Sequence, residues 1–182
     1  MISFMKIYTK TGDDGKTSLF DSSRVWKSNS RIMSYGAIDE LNSAVGIALT
    51  FEGGTVLSKI LEQIQRDLFV VGSDLANPDM ENQKIRTTKK MIEYLEECID
   101  TLDNELTELD SFILPGGSML SSILHLARTI ARRAETHVVA LSQEEKITES
   151  TFVYLNRLSD LLFVMARTAN KEKNINDIIW KP

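Results

Sequence analysis

The chain reads as an all-α protein, an antiparallel five-helix bundle preceded by a long N-terminal loop. Three observations predict this. Five segments repeat apolar residues at helical spacing, the connections between them are short, and no internal repeat or Pro-, Gly- or Ser-rich linker divides the 182 residues. One domain over 1–182 follows, with an N-terminal loop at 1–31, the bundle at 32–171 and a tail at 172–182.

A short extended piece is expected at 6–8, followed by the polar stretch TKTGDDGKTSLFDSSRVWKSNS at 9–30, whose glycines and paired aspartates are typical of turns. Loops of about 20 residues without a periodic pattern are usually functional or disordered. The first helix is expected over 32–51. It buries Ile38, Leu41, Val45, Ala48 and Leu49 and keeps Asp39, Asn42, Ser43 and Gly46 on a small polar side that another helix or subunit could approach closely. Gly53 and Gly54 should end it. The second helix, 55–76, runs through Leu57, Ile60, Leu61, Ile64, Leu68, Val71 and Leu75 until Asn77 and Pro78 stop it. A third, 88–106, buries Met91, Ile92, Leu95, Ile99 and Leu102 and is charged outside. FILPGGS at 112–118 interrupts the pattern, because a proline and two glycines let the backbone turn sharply.

Ser118 should cap the fourth helix, which runs to about residue 141. Within it HLARTIARRAE, 125–135, sets His125, Arg128, Arg132 and Glu135 on one face and Ile123, Ala127, Ile130, Ala131 and Ala134 on the other. Arg128 and Arg132 stand four residues apart and repel each other by a few tenths of a kcal/mol. An anion is therefore expected between them. Glu135 with an acidic residue of another helix could supply it in a salt-bridge layer, the commoner arrangement, or the pair could grip a polyanion, since forked guanidinium groups suit phosphate oxygens. The fifth helix, 148–171, is apolar nearly all round through Leu155, Leu158, Leu161, Leu162, Val164 and Met165, so it belongs inside the bundle. Its polar line of Asn156, Asp160 and Arg167 needs partners there, either a hydrogen-bond layer or the arginine stripe.

Composition narrows the function. Lys plus Arg total 21 against 26 Asp plus Glu, a net charge of −5, so no global field draws in nucleic acid or an anionic membrane. The lone Cys98 excludes a disulfide framework or thiolate cluster and reads as an inert core residue. The start is too short and polar for a signal peptide, and no apolar run approaches the roughly 20 residues of a membrane span. A cytoplasmic protein is the expectation. GDDGKT at 12–17 imitates the end of a P-loop, but only two residues separate its glycines and no strand-to-helix context surrounds it. Its backbone amides and threonines, with Lys10, Lys16 and Lys27, could still meet phosphates, though a plain surface turn has the same composition. A catalytic triad, paired cysteines and a Glu-x-x-His pattern are missing, and His125 and His137 are twelve residues apart, so a protein-bound metal cluster is not expected. His125 reads equally as a hydrogen-bonded bundle residue or a ligand contact, and His137 as a surface residue. An enzyme built this way needs little acid–base help. Phosphate-directed transfer to a strong nucleophile fits.

TKTGDDGKT (9–17), RVWK (24–27), YGAIDELNSAVG (35–46), FILPGG (112–117), LHLARTIARRAE (124–135), YLNRLSDLLFVMAR (154–167) and the WKP ending (180–182), in that order, resemble the PduO-type ATP:cob(I)alamin adenosyltransferases. The resemblance spans nearly the whole chain and only the second and third helices are uninformative. It implies a ferritin-like five-helix bundle, assembled as a homotrimer with active sites at subunit interfaces. It implies transfer of the 5′-deoxyadenosyl group of ATP to the cobalt of cob(I)alamin, releasing triphosphate. By similarity, Thr9, Lys10, Thr11, Gly12, Thr17, Ser18 and Lys27 would line ATP from the N-terminal loop, and Arg132, Arg133, Glu135 and Asn156 would hold it from the bundle. Arg128 would pair with Asp39 of a neighbouring subunit, and Phe112 would pack below the corrin ring and help displace the lower axial base. Arg132, Arg128, Asp39 and Phe112 are then the residues expected at the reacting centre, Asp39 and Phe112 on the cobalamin side.

This chemistry accounts for the missing general base. Cobalt(I) is the nucleophile and triphosphate the leaving group, so the protein has to position C5′, stabilise phosphate charge with arginines, lysines and a Mg²⁺ shared with the phosphates, and exclude water. A reductase and an adenosylcobalamin-dependent acceptor enzyme are implied partners. Two departures bear on affinity and loop detail: Thr136 and His137 stand where a second basic pair is often found, and LFDSS (19–23) lacks glycines common there. The alternative is a non-catalytic nucleotide- or cobalamin-binding bundle, a carrier or sensor, which would not need both a phosphate clamp and a base-displacing aromatic. A purely structural helical oligomer leaves the long polar loop without a purpose.

Overall fold

Side-chain caps decide where three of the five helices begin. In the computed structural model, which describes residues 7–51, 55–81 and 84–181, Asn29 accepts from the Arg31 amide and starts α1, Ser30–Leu49. Thr55 accepts from the Ser58 amide at 3.2 Å and starts α2, Val56–Ala76. Ser118 accepts from the Ser121 amide at 3.1 Å and starts α4, Met119–Glu144, after α3, Lys89–Asp103. The last helix, α5, covers Ser150–Glu172. All five expected helices are present, with ends shifted by a few residues; side-chain caps set the starts of α1, α2 and α4, whereas α3 and α5 begin without a side-chain cap bond. The stop expected at Gly53 and Gly54, the start of the extended piece at Lys6 and the end of the tail at Pro182 lie outside the described residues.

The closest packing is of α3 on α5, α5 on α4, α4 on α1 and α1 on α2, and Tyr154 and Thr151 of α5 reach Asp67 and Asp74 of α2. Ala127, Ala131 and Ala134 of α4 are fully buried, and their small side chains let flanking helices approach closely. On α5, Tyr154, Leu155, Leu158, Leu161, Leu162 and Met165 are fully buried, as a helix apolar nearly all round should be. Burying each such side chain contributes about 1.5–3 kcal/mol. The polar line on α5 does not behave as one unit: Asn156 and Asp160 are exposed, while Arg167 is buried. Cys98 is half-buried against the core, where burial raises its thiol.

Two short antiparallel pairings depart from the all-α expectation. Within the N-terminal loop, β1 (Lys16–Ser18) pairs with β2 (Arg24–Trp26), placing Lys16 opposite Trp26 and Thr17 opposite Val25. Across the molecule, β3 (Ile113–Leu114) pairs with β4 (Ile178–Ile179), so the stretch expected as a tail is strapped onto the connection between α3 and α4. Segments of two or three residues are too short to show a period of two in sequence, and their pairing is set by tertiary contacts. The extended piece expected at 6–8 forms no strand over Ile7 and Tyr8. No helix among the described residues is long and apolar enough to cross a membrane.

Candidate active site along the arginine helix

The α4 stripe is built from three kinds of environment. His125, expected beside Arg128 on the polar face, is buried, with its ring edge-on to Phe163 at 5.9 Å between centroids. Its Nδ1 has no partner among the described residues. Burial, reinforced by the Arg128 charge and opposed by Asp177, lowers its pKa and keeps the imidazole neutral. The hydrogen-bonded reading of His125 is thus not supported at Nδ1, and the cause is tertiary: the Phe163 ring from α5 covers the residue. Ile123, expected to be buried, is only partly so, and His137, expected at the surface, is half-buried.

Arg128 is half-buried one turn further on, and its Nε has no partner among the described residues. Burial first, and the Arg132 charge second, lower its pKa. That is the repulsion inferred from the four-residue spacing. Arg128 lines a cavity of about 520 Å³ with Leu109, Phe112, Ile113 and Phe163, and with Asp110 and Ser111 on its polar side. Phe112 is 82% exposed, an aromatic ring with almost nothing of its own chain against it. An exposed aromatic ring of this kind, beside a cavity that carries a second ring and an arginine whose Nε has no partner among the described residues, suits the packing of a large ligand.

The next turn opens into a shallower cavity of about 650 Å³ lined by Arg132, Arg133, Glu135, Thr136, His137 and Val139. Arg132 is exposed and forms no ion pair among the described residues. Asn156 of α5 donates its amide to Glu135 Oε1 at 2.9 Å, so these two candidates, 21 residues apart in sequence, are brought together beside Arg132. Arg133 instead makes an ion pair with Glu40 of α1, and its guanidinium is already engaged within the chain. Asp39, also on α1, is exposed in a different cavity of about 310 Å³, shared with Tyr35, Asn42 and Phe69. The single chain does not bring Asp39 to Arg128.

The loop candidates form a second group. Lys10 has a left-handed backbone, φ 61°, and its ammonium lies 5.9 Å from the centre of the Tyr8 ring. Thr9 and Thr11 hydroxyls are hydrogen-bonded at 2.9 Å. The Lys27 side chain crosses Gly12 so closely that a Cβ there would stand 3.2 Å from Nζ. Thr17 and Ser18 are on β1, and the Lys16 ammonium sits over the Trp26 ring at 4.9 Å. A residue not singled out from the sequence, Arg24, closes the loop by donating to Thr11 O at 2.7 Å and pairing with Asp14 at 3.2 Å. Only its place in RVWK hinted at a role. The hairpin is tied to the end of α2 by the Phe20 amide on Ala76 O at 3.3 Å. Among the described residues, no hydrogen bond or ion pair joins residues 9–27 to Arg128, Arg132 or Arg133. No group of three or more His, Cys, Asp or Glu side chains there could hold a metal ion.

Comparison with known proteins gives a consistent result. A family model described as cobalamin adenosyltransferase matches residues 7–169. The corrinoid adenosyltransferase of Mycobacterium leprae (strain TN) is 45% identical over 190 residues, covering 100% of this chain and 98% of the relative. That of Bacillus subtilis (strain 168) is 47% identical over 181 residues, covering 97% and 93%. Among solved structures, a variant PduO-type ATP:corrinoid adenosyltransferase from Lactobacillus reuteri complexed with cobalamin and ATP superposes with a TM-score of 0.93 at 41% identity, over 97% of each chain. A family match over most of the length, relatives well above 40% identity and a shared fold agree: the chain belongs to the cobalamin adenosyltransferase family.

Proposed function

We propose that this protein is an ATP:cob(I)alamin adenosyltransferase, which transfers the 5′-deoxyadenosyl group of ATP to the cobalt of cob(I)alamin and releases triphosphate. The observation that carries the residue assignment is the division of the α4 face. Arg132, without an ion pair among the described residues, lies in an open groove lined mainly by charged and polar side chains beside the Glu135–Asn156 pair, and one turn away Arg128 shares a cavity with the aromatic rings of Phe112 and Phe163. A nucleotide triphosphate suits the first and a corrin ring the second. The Lactobacillus reuteri relative, complexed with both cobalamin and ATP, supports the pairing of substrates.

In the reaction, cobalt(I) attacks C5′, the C5′–O bond breaks, and its electrons leave with the triphosphate. No proton needs to be moved, which agrees with a neutral, buried His125. Arg132 meets the negative charge that grows on the departing phosphates, a role in which a planar forked donor is worth more than a point charge. Glu135 orients Asn156 toward the nucleotide. Thr9, Lys10, Thr11, Gly12, Thr17, Ser18 and Lys27 close over ATP from the hairpin side. Any Mg²⁺ is carried in on the phosphates, as is usual for an ion that keeps water and phosphate ligands. Phe112 packs against the corrin face and displaces the lower axial base, and with Ile113 and Phe163 of the same cavity it keeps water from the reactive cobalt. Arg133, held by Glu40, acts mainly through the charge it adds to the groove.

The separation of the hairpin from the α4 arginines within one chain supports a site completed by a second copy. The working unit in this reading is a cytoplasmic homotrimer in which Asp39 of one subunit answers Arg128 of the next, supplied with electrons by a reductase and serving an adenosylcobalamin-dependent enzyme. The test is direct. The protein mixed with ATP, Mg²⁺ and chemically reduced cobalamin should form adenosylcobalamin, read from the absorption change, and folded protein that forms none refutes the proposal.

A further inference from the structure

An 82% exposed ring such as Phe112 has little packing of its own to hold it, so its position is set by its backbone. That backbone lies in the connection 104–118, and one polar cluster at the end of α5 ties the connection down at three places. Near its start, Thr107 O accepts from Arg167 Nη2 at 2.6 Å. Near its end, Gly116 O accepts from Asn170 Nδ2 at 3.0 Å, and the Ser118 amide donates to Asn170 Oδ1 at 2.8 Å. At Phe112 itself, the carbonyl accepts from the Trp180 amide at 2.8 Å, alongside the β3–β4 pairing.

Asp177 joins these contacts. Its Oδ2 accepts from Arg167 Nε at 2.9 Å and its Oδ1 from Asn170 Nδ2 at 3.2 Å, one residue before β4 begins. Arg167 and Asn170 are buried and three residues apart, so they present neighbouring side chains to the same carboxylate. Gly117 shows how close the fit is: its φ is +107°, and a Cβ there would stand 2.6 Å from Asn170 Cγ. Burying a guanidinium is costly unless it is paired and hydrogen-bonded, and an apolar residue would often serve stability as well. What the polar cluster adds is direction: Arg167 and Asn170 bond the backbone of the Phe112 connection at Thr107, Gly116 and Ser118, and the same two side chains hold the Asp177 carboxylate, one residue before β4.

We propose that Asp177, through Arg167 and Asn170, is a positioning residue for Phe112: it sets β4 against the Phe112 backbone and thereby fixes where the ring stands beneath the corrinoid. This rests on the reading of Phe112 as the base-displacing aromatic. The experiment compares full-length Asp177→Ala, the conservative Asp177→Asn, Phe112→Ala and the Phe112→Ala/Asp177→Ala double variant. Each is assayed from cobalt(II) cobalamin with a reductant and from prereduced cobalt(I), and the base-off fraction of bound cobalt(II) is read by electron paramagnetic resonance.

Asp177→Ala is expected to slow the cobalt(II) route by about tenfold while changing the prereduced route and the KM for ATP less than about twofold, since a small misplacement of an aligning group costs rate and not nucleotide affinity. Its base-off fraction falls in parallel, Asp177→Asn lies between it and the parent, and the double variant is no slower than Phe112→Ala. Hydrogen exchange should also quicken at residues 112–114 and 178–180 in Asp177→Ala. Equal losses on both routes, beside a selective loss in Phe112→Ala, overturn the positioning role and leave Phe112 intact. No selective loss in Phe112→Ala overturns the reading of Phe112, and the positioning role with it. Native-like exchange in Asp177→Ala overturns the brace whatever Phe112 does.

Discussion

Arg31→Met tests the packing at the root of the N-terminal loop. Arg31 is 1% exposed, the second residue of α1, and follows Lys27 by four positions. Its Nη1 donates to Leu75 O at 2.6 Å, and its Nε and Nη2 donate to Glu145 Oε2 at 3.0 and 2.5 Å. It thus pins the start of α1 to the ends of both α2 and α4. Methionine approximates the stem and supplies no donor. Glu145, with a side chain 39% exposed, recovers water when the guanidinium goes. Leu75 O cannot. It is among the last four carbonyls of α2, which have no intrahelical partner, and it is buried. An orphaned buried carbonyl costs about 1–3 kcal/mol, and the lost charged bonds and residual void bring the total to about 3 kcal/mol. For a chain of this size that lowers the melting temperature by about 6–12 °C. Glu145→Gln keeps an acceptor and the Leu75 bond but removes the counter-charge of the buried guanidinium, so it should cost about 1.5–2 kcal/mol, less than Arg31→Met. Circular-dichroism melts and urea titrations at one fixed protein concentration measure both, because assembly makes apparent stability concentration-dependent. An Arg31→Met melt within about 2 °C of the parent refutes the reasoning. A Glu145→Gln loss as large as that of Arg31→Met places the energy in the ion pair and refutes the role given to Leu75 O.

Arg132→Ala should lower turnover by about a hundredfold or more, as removal of a charge-stabilising donor usually does, with an unchanged melt; turnover near that of the parent shows the phosphate clamp lies elsewhere. The shared site is tested by mixing subunits. Asp39→Ala and Arg132→Ala are each expected to be inactive alone, but random co-assembly leaves about a quarter of the interfaces with both native residues, and no recovery of activity excludes a site divided between these two residues. Asp67 is buried near Tyr154, and its pKa stands above the ordinary 3.8, chiefly through burial, with bonds from Gln63 and Tyr154 opposing. A raised carboxylate pKa means stability that is full below the ordinary value and lost as pH rises through the native one. Asp67→Asn is therefore expected to melt a few degrees higher near neutral pH and to lose that advantage in acid, and a lower melt at neutral pH contradicts the burial argument.

The five helices were legible in the sequence because their burial follows a 3.6-residue period, and Leu57, Ile64, Leu155 and Leu162 are buried as that period requires. The arginine stripe was legible for the same reason, down to the mutual repulsion of Arg128 and Arg132. His125 shares the helix face of Arg128, as the spacing requires, but its burial against the Phe163 ring of α5 is a tertiary feature that periodicity does not record. The expectations of ferritin-like character, of the substrates and of the roles proposed for Phe112 and Asp39 came from ordered motifs, not from spacing.

Local sequence by itself therefore determined which segments are helical, which faces are apolar and which residues carry charge along α4, since these depend on contacts within a few residues. Tertiary structure decided the pairings between distant segments. It set Glu135 against Asn156, Arg133 against Glu40, Arg31 against Leu75, and β4 with Asp177 against the Phe112 connection. Such contacts join positions tens of residues apart through one or two polar atoms. Their energy comes from the burial that the whole bundle creates, and nothing in a local window of sequence records it.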